Sequence, residues 1–446
     1  MRRRFADIPF SPARLSFFYG WAIIPLGALG IIMSVPGQTM GVSVFTDHLI
    51  KALDLTRVQL SAAYMGGTVT SALLLTFAGY AYDRYGVRVM APVVGILLGT
   101  MLVALSASPT IARLAAAWSP QASLVFRFAL IYLIFLGIRF FGQGVLTMIS
   151  RNMIMKWFDR RRGLASGISG MIVSPCFAGA PRIFDALMNS LGWQNTALLL
   201  AAVLTGGFAL FALVFYRDSP EECGLLPDGD SPTDASDAPK RVSHVHRQFT
   251  LGQAARTPAF WIYSLSTTLF GLYITGVIFH ITAVFGEHGY TREQAFSIFL
   301  PAAAIALVVR PIAGWLCDYV PLRTFLVTLL LALVVFMLST AHLNVKGALI
   351  FLIVSEAFAG VMFQILLNVT WPKFFSREHL GAISGLSMSL NVAGSAVGPL
   401  MFSVLFSFTG TYATGSYVSL VMCGALLLAS GFAQNPQKLY AGPPGS

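Results

Sequence analysis

Twelve stretches of roughly 20 apolar residues dominate this sequence, each bounded by charged residues, turns or Pro and Gly. Of its 446 residues, 56% are hydrophobic and 11% are charged, whereas an ordinary soluble domain has about 25% charged residues. A soluble protein of this composition would precipitate, which excludes a cytosolic enzyme, a secreted disulfide scaffold and a disordered chain. The stretches predict twelve membrane spans, at 17–44, 58–80, 88–108, 124–150, 163–188, 193–216, 258–285, 293–317, 322–342, 347–371, 380–407 and 412–433.

The basic residues predict the orientation of the chain in the membrane. An even number of spans returns the chain to the side on which it begins. Of the 29 Lys and Arg residues, 20 fall at the termini, in the even-numbered loops or in the central loop, and six fall in the odd-numbered loops. The positive-inside rule therefore predicts an inner (plasma) membrane protein with both termini in the cytoplasm. A membrane surface also accounts for the net charge of +11, so no nucleic-acid partner is required.

A polar segment divides the chain into two halves. Residues 217–257 are rich in Asp, Gly, Ser and Pro, a composition that predicts a flexible cytoplasmic loop. The segment separates an N-terminal six-helix bundle, residues 1–216, from a C-terminal six-helix bundle, residues 258–446. This division predicts a fold assembled from two bundles of six spans each.

The two halves carry similar motifs at corresponding places. Gly79, Asp83 and Arg88 follow the second predicted span, and Gly314 and Asp318 follow the eighth with the same spacing between Gly and Asp. Corresponding elements in two six-span halves are typical of a duplicated transporter fold.

These motifs resemble those of the major facilitator superfamily. The loop after the second span matches the best-known signature of that superfamily through Gly79, Asp83, Arg84, Gly86 and Arg88. The resemblance covers the whole chain and implies an all-α membrane protein of 12 transmembrane helices in two pseudo-symmetric six-helix bundles. It also implies secondary transport by alternating access, with the signature as a conformational latch at the cytoplasmic helix ends.

The second copy of the latch departs from the family pattern. Val320 and Pro321 stand in the glycine region after Gly314 and Asp318. We therefore expect the latch of the second half to be the weaker one.

Three segments resemble the branch of the superfamily that contains monocarboxylate transporters and oxalate/formate antiporters. They are residues 157–167, 220–229 and 310–318. The resemblance implies a small organic anion as the substrate, with a monocarboxylate favoured. The predicted eleventh span contains no Lys or Arg, which argues against an oxalate-like dianion.

Arginines inside the spans are the first candidates for substrate binding, because an ionisable group in the bilayer is costly and usually functional. Arg310 lies deep in the eighth predicted span, and its guanidinium can hold a carboxylate through two parallel hydrogen bonds. The matching arginine binds the substrate carboxylate in the resembled family. Some monocarboxylate transporters have an aspartate one turn earlier, where this chain has Ala306, which puts that route of proton coupling in doubt. Arg139, in the fourth span, matches a second family motif and is structural, linked to proton coupling or a second substrate contact.

Other polar residues within or near the spans are candidates for proton coupling or hydrogen bonding. Glu356 either carries a proton or serves as the counter-ion of an arginine, since burial favours the neutral carboxyl group. His280 is either a proton or substrate site or a packed residue near a span end. Gln38 and Thr39 follow a break at Pro36, and they either line a cavity or belong to a kink in the helix.

The sequence predicts no enzyme activity and no cofactor. It contains no phosphate-binding Gly-x-x-x-x-Gly-Lys-Ser/Thr loop, no Cys/His cluster for a metal and no nucleophile–base set. The expected partners are a small organic anion, protons or a counter-anion, and the lipid bilayer, with the chain as a monomer. Two alternatives stay open, namely a proton-driven exporter of amphipathic drugs or siderophores and a non-transporting membrane sensor.

Overall fold

A computed structural model describes residues 8–118, 123–229, 247–375 and 377–439. Within these residues, 12 helices are long and apolar enough to cross a membrane, in agreement with the predicted number. We number them as spans 1 to 12, with the bounds Gly20–Ser43, Val58–Tyr85, Val87–Ala115, Leu124–Trp157, Arg162–Leu191, Trp193–Phe215, Pro258–Phe279, Glu293–Tyr319, Leu322–Ala341, Ala348–Phe374, Leu380–Thr409 and Ala413–Lys438.

The described residues form two compact units. The first unit takes its residues from 1–157, 172–231 and 384–389, and the second takes its residues from 158–171, 232–383 and 390–446. The start of span 5 thus belongs to the second unit, and a short part of span 11 belongs to the first. The predicted bundle boundaries at 216 and 258 stay predictions.

Span 1 is interrupted in the first unit. A regular helix over Gly20–Met33 is followed by a tighter turn at Val35–Gly37 and a short helix at Thr39–Ser43. Gln38 adopts an extended conformation (φ −81°, ψ 158°) between the last two elements. Pro36 lacks a backbone N–H and favours this break.

Span 4 is longer than the sequence predicts, and the predicted end at residue 150 is wrong. Regular helix over Ser123–Ile138 passes into a wider π-helical segment at Arg139–Leu146 and returns to regular helix at Thr147–Trp157. The polar pair Arg151-Asn152 ends the apolar stretch, but Trp157 is fully buried and the helix continues up to it.

Span 9 packs at the centre of the second unit. Leu326, Leu329, Leu330 and Leu333 are fully buried at helical spacing. Spans 10 and 12 pack against this span. Span 9 thus forms part of the apolar core of the second unit.

The ends of the central loop are packed onto the units. Arg217 is 1% exposed and donates hydrogen bonds to the carbonyl oxygens of Ile8 (3.1 Å) and Phe10 (3.2 Å). At the other end, Phe249 is buried and its N–H donates to the carbonyl oxygen of Phe375 at 2.9 Å. The flexibility predicted for 230–246 lies outside the described residues.

Candidate functional site

Arg310 is held against span 5 in the second unit. It lies within the helix Phe299–Tyr319, and its Nη1 donates to the carbonyl oxygen of Gly170 at 2.9 Å. A Cβ atom on Gly167 would lie 2.8 Å from the Arg310 carbonyl oxygen, so only glycine permits this approach of the two helices. The glycines at the start of span 5 therefore position the guanidinium.

The guanidinium of Arg310 retains unused hydrogen-bonding capacity. Its Nε is buried and has no hydrogen-bond partner within the described part of the chain. Glu356, on span 10, is the acid that interacts electrostatically with Arg310. No hydrogen bond or ion pair within 4.0 Å joins the two side chains in the described ranges. An arginine with unused donors near an unpaired acid can accept an anionic group.

Arg139 is enclosed by the first unit. It is 2% exposed, its Nε donates to Thr68 Oγ1 at 3.1 Å, and its Nη1 donates to the carbonyl oxygen of Gly37 at 3.0 Å. The guanidinium also lies 5.0 Å from the centre of the Tyr64 ring. These contacts connect the π-helical segment of span 4 to the break in span 1.

Gln38 and Thr39 belong to the same arrangement. Thr39 Oγ1 accepts hydrogen bonds from Arg139 (3.3 Å) and from the Tyr64 hydroxyl (3.0 Å). Gln38 Nε2 donates to Ser34 Oγ at 3.0 Å and to Thr147 Oγ1 at 3.2 Å. The structure thus brings Arg139, Gln38 and Thr39 together, and their contacts fix the shape of the broken helix.

His280 lies just beyond the end of span 7 in the second unit. Its Nε2 lies 3.1 Å from the carbonyl oxygen of Pro399 and 3.1 Å from Ser403 Oγ, both on span 11. Its ring packs against Tyr412, with 5.1 Å between the ring centres. No hydrogen bond, ion pair or ring contact connects it to Arg310 in the parts of the chain described.

The first copy of the predicted latch surrounds the start of span 3. Gly86 has a left-handed conformation (φ +79°), and Asp218 occupies the space that a Cβ atom there would need. The Asp218 carboxylate accepts hydrogen bonds from the backbone N–H groups of Val87 and Arg88, and Arg88 Nε donates to the carbonyl oxygen of Leu213 at 3.2 Å. Gly86 and Arg88 thus connect spans 3 and 6.

The other residues of this copy lie on span 2. Gly79 packs against span 11, where a Cβ atom on Gly385 would lie 3.5 Å from its Cα. Arg84 lies 5.5 Å from the centre of the Tyr85 ring, and Asp83 is half-buried beside it. Whether these residues act as a latch stays a prediction.

The second copy of the predicted latch, Gly314 and Asp318, contacts the start of span 5, although the sequence predicts that this copy is the weaker one. The two carboxylate oxygens of Asp318 accept hydrogen bonds from the backbone N–H groups of Gly163 (2.7 Å) and Leu164 (3.0 Å). These N–H groups begin span 5, where an acceptor is needed and negative charge is favoured. A Cβ atom on Gly314 would lie 2.5 Å from the Gly163 carbonyl oxygen. The second copy is therefore held to the start of span 5 by backbone contacts.

Two residues that the structure places at or within the spans were missed by the sequence reasoning. Asp218 follows span 6, and nothing in its neighbourhood signals that it caps span 3. Arg151 falls within span 4 because the helix runs on to Trp157. Its hydrophobic neighbours Met153 to Met155 were the available signal that the span continues.

Metal chemistry finds no support in the described residues, where no group of three or more His, Cys, Asp or Glu side chains could hold an ion. The arrangement is suited to binding and releasing an anion at Arg310, without a covalent step.

Comparisons with known proteins place the chain in a family. The model of the Major Facilitator Superfamily matches residues 27–399. "Probable sulfoacetate transporter SauU" from Cupriavidus necator is 23% identical over 88% of this chain and 89% of that protein. "Monocarboxylate transporter 2" from Homo sapiens is 22% identical over 92% of this chain and 84% of that protein.

Solved structures show the same fold. The human organic anion transporter MFSD10 superimposes with a TM-score of 0.66 at 15% identity, covering 93% of this chain and 99% of that one. The predicted resemblance is confirmed by the family match, the twelve spans and the monocarboxylate transporters among the relatives. The chain therefore belongs to the Major Facilitator Superfamily and is a multi-pass secondary transporter rather than an enzyme.

Proposed function

We propose that the protein transports a small organic anion, with a monocarboxylate favoured, and that Arg310 binds its carboxylate. The observation that carries the proposal is the unused hydrogen-bonding capacity of the Arg310 guanidinium, whose buried Nε has no partner in the described ranges. A carboxylate can accept two parallel hydrogen bonds from such a group. The names of the relatives, a sulfoacetate transporter and a monocarboxylate transporter, agree with a small anion.

Coupling to protons or to a counter-anion completes the proposal. Glu356 interacts electrostatically with Arg310 without forming an ion pair in the described part of the chain. A substrate carboxylate near Arg310 would compete with Glu356 for the same positive charge. Proton uptake by Glu356 would remove this competition, whereas exchange of one anion for another would leave Glu356 charged. Either route returns the carrier to its starting state by alternating access.

We further propose that both termini and the central loop lie in the cytoplasm. The excess of Lys and Arg in the loops on that side of the predicted topology supports this orientation. It also assigns the contacts of Asp218 and Asp318 to cytoplasmic helix ends.

The proposal predicts that Arg310→Ala abolishes carboxylate binding and transport. Removing one partner of a buried, hydrogen-bonded charge pair costs about 2 to 5 kcal/mol, which corresponds to a loss of roughly 30-fold or more in affinity. Arg310→Lys should recover little, because an ammonium group cannot form the two parallel hydrogen bonds. Lactate uptake into proteoliposomes and lactate-induced thermal stabilisation of the purified protein are the measurements.

Arg182→Ala is the matched control, because this arginine is exposed within span 5. A ligand at 100 times its dissociation constant stabilises the folded state by about 2.7 kcal/mol, enough to detect. An Arg310→Ala variant that binds and transports lactate normally would refute the proposal. Stabilisation by large amphipathic compounds alone would favour the exporter alternative.

A further inference from the structure

Besides Arg310, another arginine inside a span has unused donors, and this one has no hydrogen-bond or ion-pair partner in the described residues. Arg151 lies in the helix Thr147–Trp157 of span 4. Its Nε is buried without a hydrogen-bond partner, and no ion pair to its guanidinium occurs within the ranges described. Charged side chains in membrane spans usually pair with one another or with backbone carbonyls, so Arg151 requires another explanation.

The surroundings of Arg151 place it on an inner face of the first unit. One turn before it, Thr147 Oγ1 donates to Ser34 Oγ of span 1 at 3.0 Å. The next residue, Asn152, donates to Ser384 Oγ of span 11 at 2.7 Å. Residues on both sides of Arg151 therefore contact other spans within the first unit.

Arg151 is nevertheless only partly buried as a residue. Between Thr147 and Met155, it is the one residue that is not fully buried. It lies six residues before Trp157, about 9 Å inside the end of the helix at 1.5 Å per residue. A buried Nε without a partner and a partly exposed residue therefore occur together in a well-packed segment.

We infer that Arg151 binds a small water-soluble oxyanion, a carboxylate or a sulfonate, at a site of the first unit distinct from Arg310. The inference rests on the proposed function in one respect, because the transported anion is the expected occupant. Arg139 shows the contrast, since its Nε and Nη1 donors are taken up by Thr68, Gly37 and Thr39. Arg151 lacks such partners in the described chain and leaves its paired donors available.

Protection of arginines from phenylglyoxal, followed residue by residue with peptide mass spectrometry, tests the site. The purified full chain is modified in a neutral detergent with and without lactate. At ten times the dissociation constant, lactate should slow the modification of Arg151 about tenfold, as mass action requires. The exposed Arg182 is the matched control and should be modified at one rate in both samples.

The modification of Arg151 and that of Arg310 are measured separately. The proposal for one arginine can therefore fail while the proposal for the other holds. Protection of Arg151 without protection of Arg310 would contradict the proposed substrate anchor and retain this site. Arg151 modified equally with and without lactate, or unreactive in both samples, would overturn the inference. Protection by added phosphatidylglycerol micelles but not by lactate would assign the site to a lipid phosphate and would also overturn it.

Variants provide a second measurement. The lactate-induced thermal shift should shrink in Arg151→Gln, shrink less in Arg151→Lys and remain in Arg182→Gln. The lysine variant keeps the positive charge, so it remains informative if the glutamine variant fails to fold. An unchanged shift in both Arg151 variants would contradict the inference.

Discussion

Two arginines of the spans differ in what their guanidinium groups contact, and this difference supports different proposed roles for them. Arg139 donates to Thr68, Gly37 and Thr39 and is 2% exposed. Arg310 makes a single hydrogen bond, to Gly170, in the described part of the chain. An arginine whose N–H donors bond to protein acceptors stabilises the fold. An arginine with unused N–H donors can bind an anion. The contacts thus favour Arg310 as the substrate contact and Arg139 as a support of the broken helix.

Glu356→Gln should tighten lactate binding severalfold at alkaline pH, where the carboxyl group of Glu356 is ionised. The carboxylate of Glu356 interacts with Arg310 and competes with an incoming carboxylate for the same positive charge. Glutamine keeps the size of the side chain and removes the competing charge. Lactate titrations of the purified protein, followed by thermal shift, measure the change.

Glu287→Gln is the matched control for this prediction. Glu287 is an exposed carboxylate of the second unit that accepts a hydrogen bond from the backbone N–H of Tyr412 at 3.1 Å. Its loss should leave lactate binding unchanged. Weaker lactate binding in Glu356→Gln would contradict the role of a competing counter-ion and would favour a direct contribution of Glu356 to the site.

At the scale of elements, a glycine seam lets span 5 approach span 8. A Cβ atom on Gly163 would lie 2.1 Å from the Gly314 carbonyl oxygen, and one on Gly314 would lie 3.1 Å from the Gly167 Cα. Asp318 completes the seam by accepting hydrogen bonds from two backbone N–H groups at the start of span 5. Backbone contact and helix capping therefore act at one place, and both position the helix that carries Gly170.

Gly163→Ala should destabilise the protein. The added methyl group would meet a backbone carbonyl that cannot move away, and overpacking of this kind typically costs about 1 to 3 kcal/mol. Gly179→Ala in the same helix should be tolerated, because a Cβ atom there would meet nothing within 4 Å. Apparent midpoints of thermal unfolding in detergent compare the two variants, and equal midpoints would contradict the seam.

The apolar stretches predicted the number of spans but not how the spans end or break. The polar pair Arg151-Asn152 lowers the local hydropathy, so the predicted end at 150 excluded Arg151 from span 4. Asn152 is buried because Ser384 accepts its hydrogen bond, and a partner more than two hundred residues away leaves no local signal.

The sequence predicted only part of the candidate site, because some of its contacts also depend on residues far apart in the chain. The arginine in span 8 follows from residue type alone, since a charge in an apolar stretch is conspicuous at any position. The Asp318 contact depends on which backbone N–H groups lie opposite, and the left-handed conformation of Gly86 leaves the space that Asp218 fills. These features arise from long-range packing.

For the whole molecule, membership of the Major Facilitator Superfamily establishes the fold and the transporter class, whereas the orientation in the membrane stays a prediction from the distribution of Lys and Arg. Of the 29 Lys and Arg residues, 20 lie at the termini, in the central loop or in the even-numbered loops of the predicted topology. Arg217 is held at the boundary of this region by the carbonyl oxygens of Ile8 and Phe10. The basic side is therefore also the side on which the N-terminal segment is anchored.

We expect fusion of green fluorescent protein after Ser446 to be fluorescent, because that protein folds when it remains in the cytoplasm and the positive-inside rule places the C-terminus there. Fusion after Lys346, between spans 9 and 10, should give little fluorescence. Alkaline phosphatase fused at the same two positions is the complementary control, since it is active when exported. Active phosphatase after Ser446 together with a fluorescent fusion after Lys346 would reverse the orientation and assign the contacts of Asp218 and Asp318 to the outer helix ends.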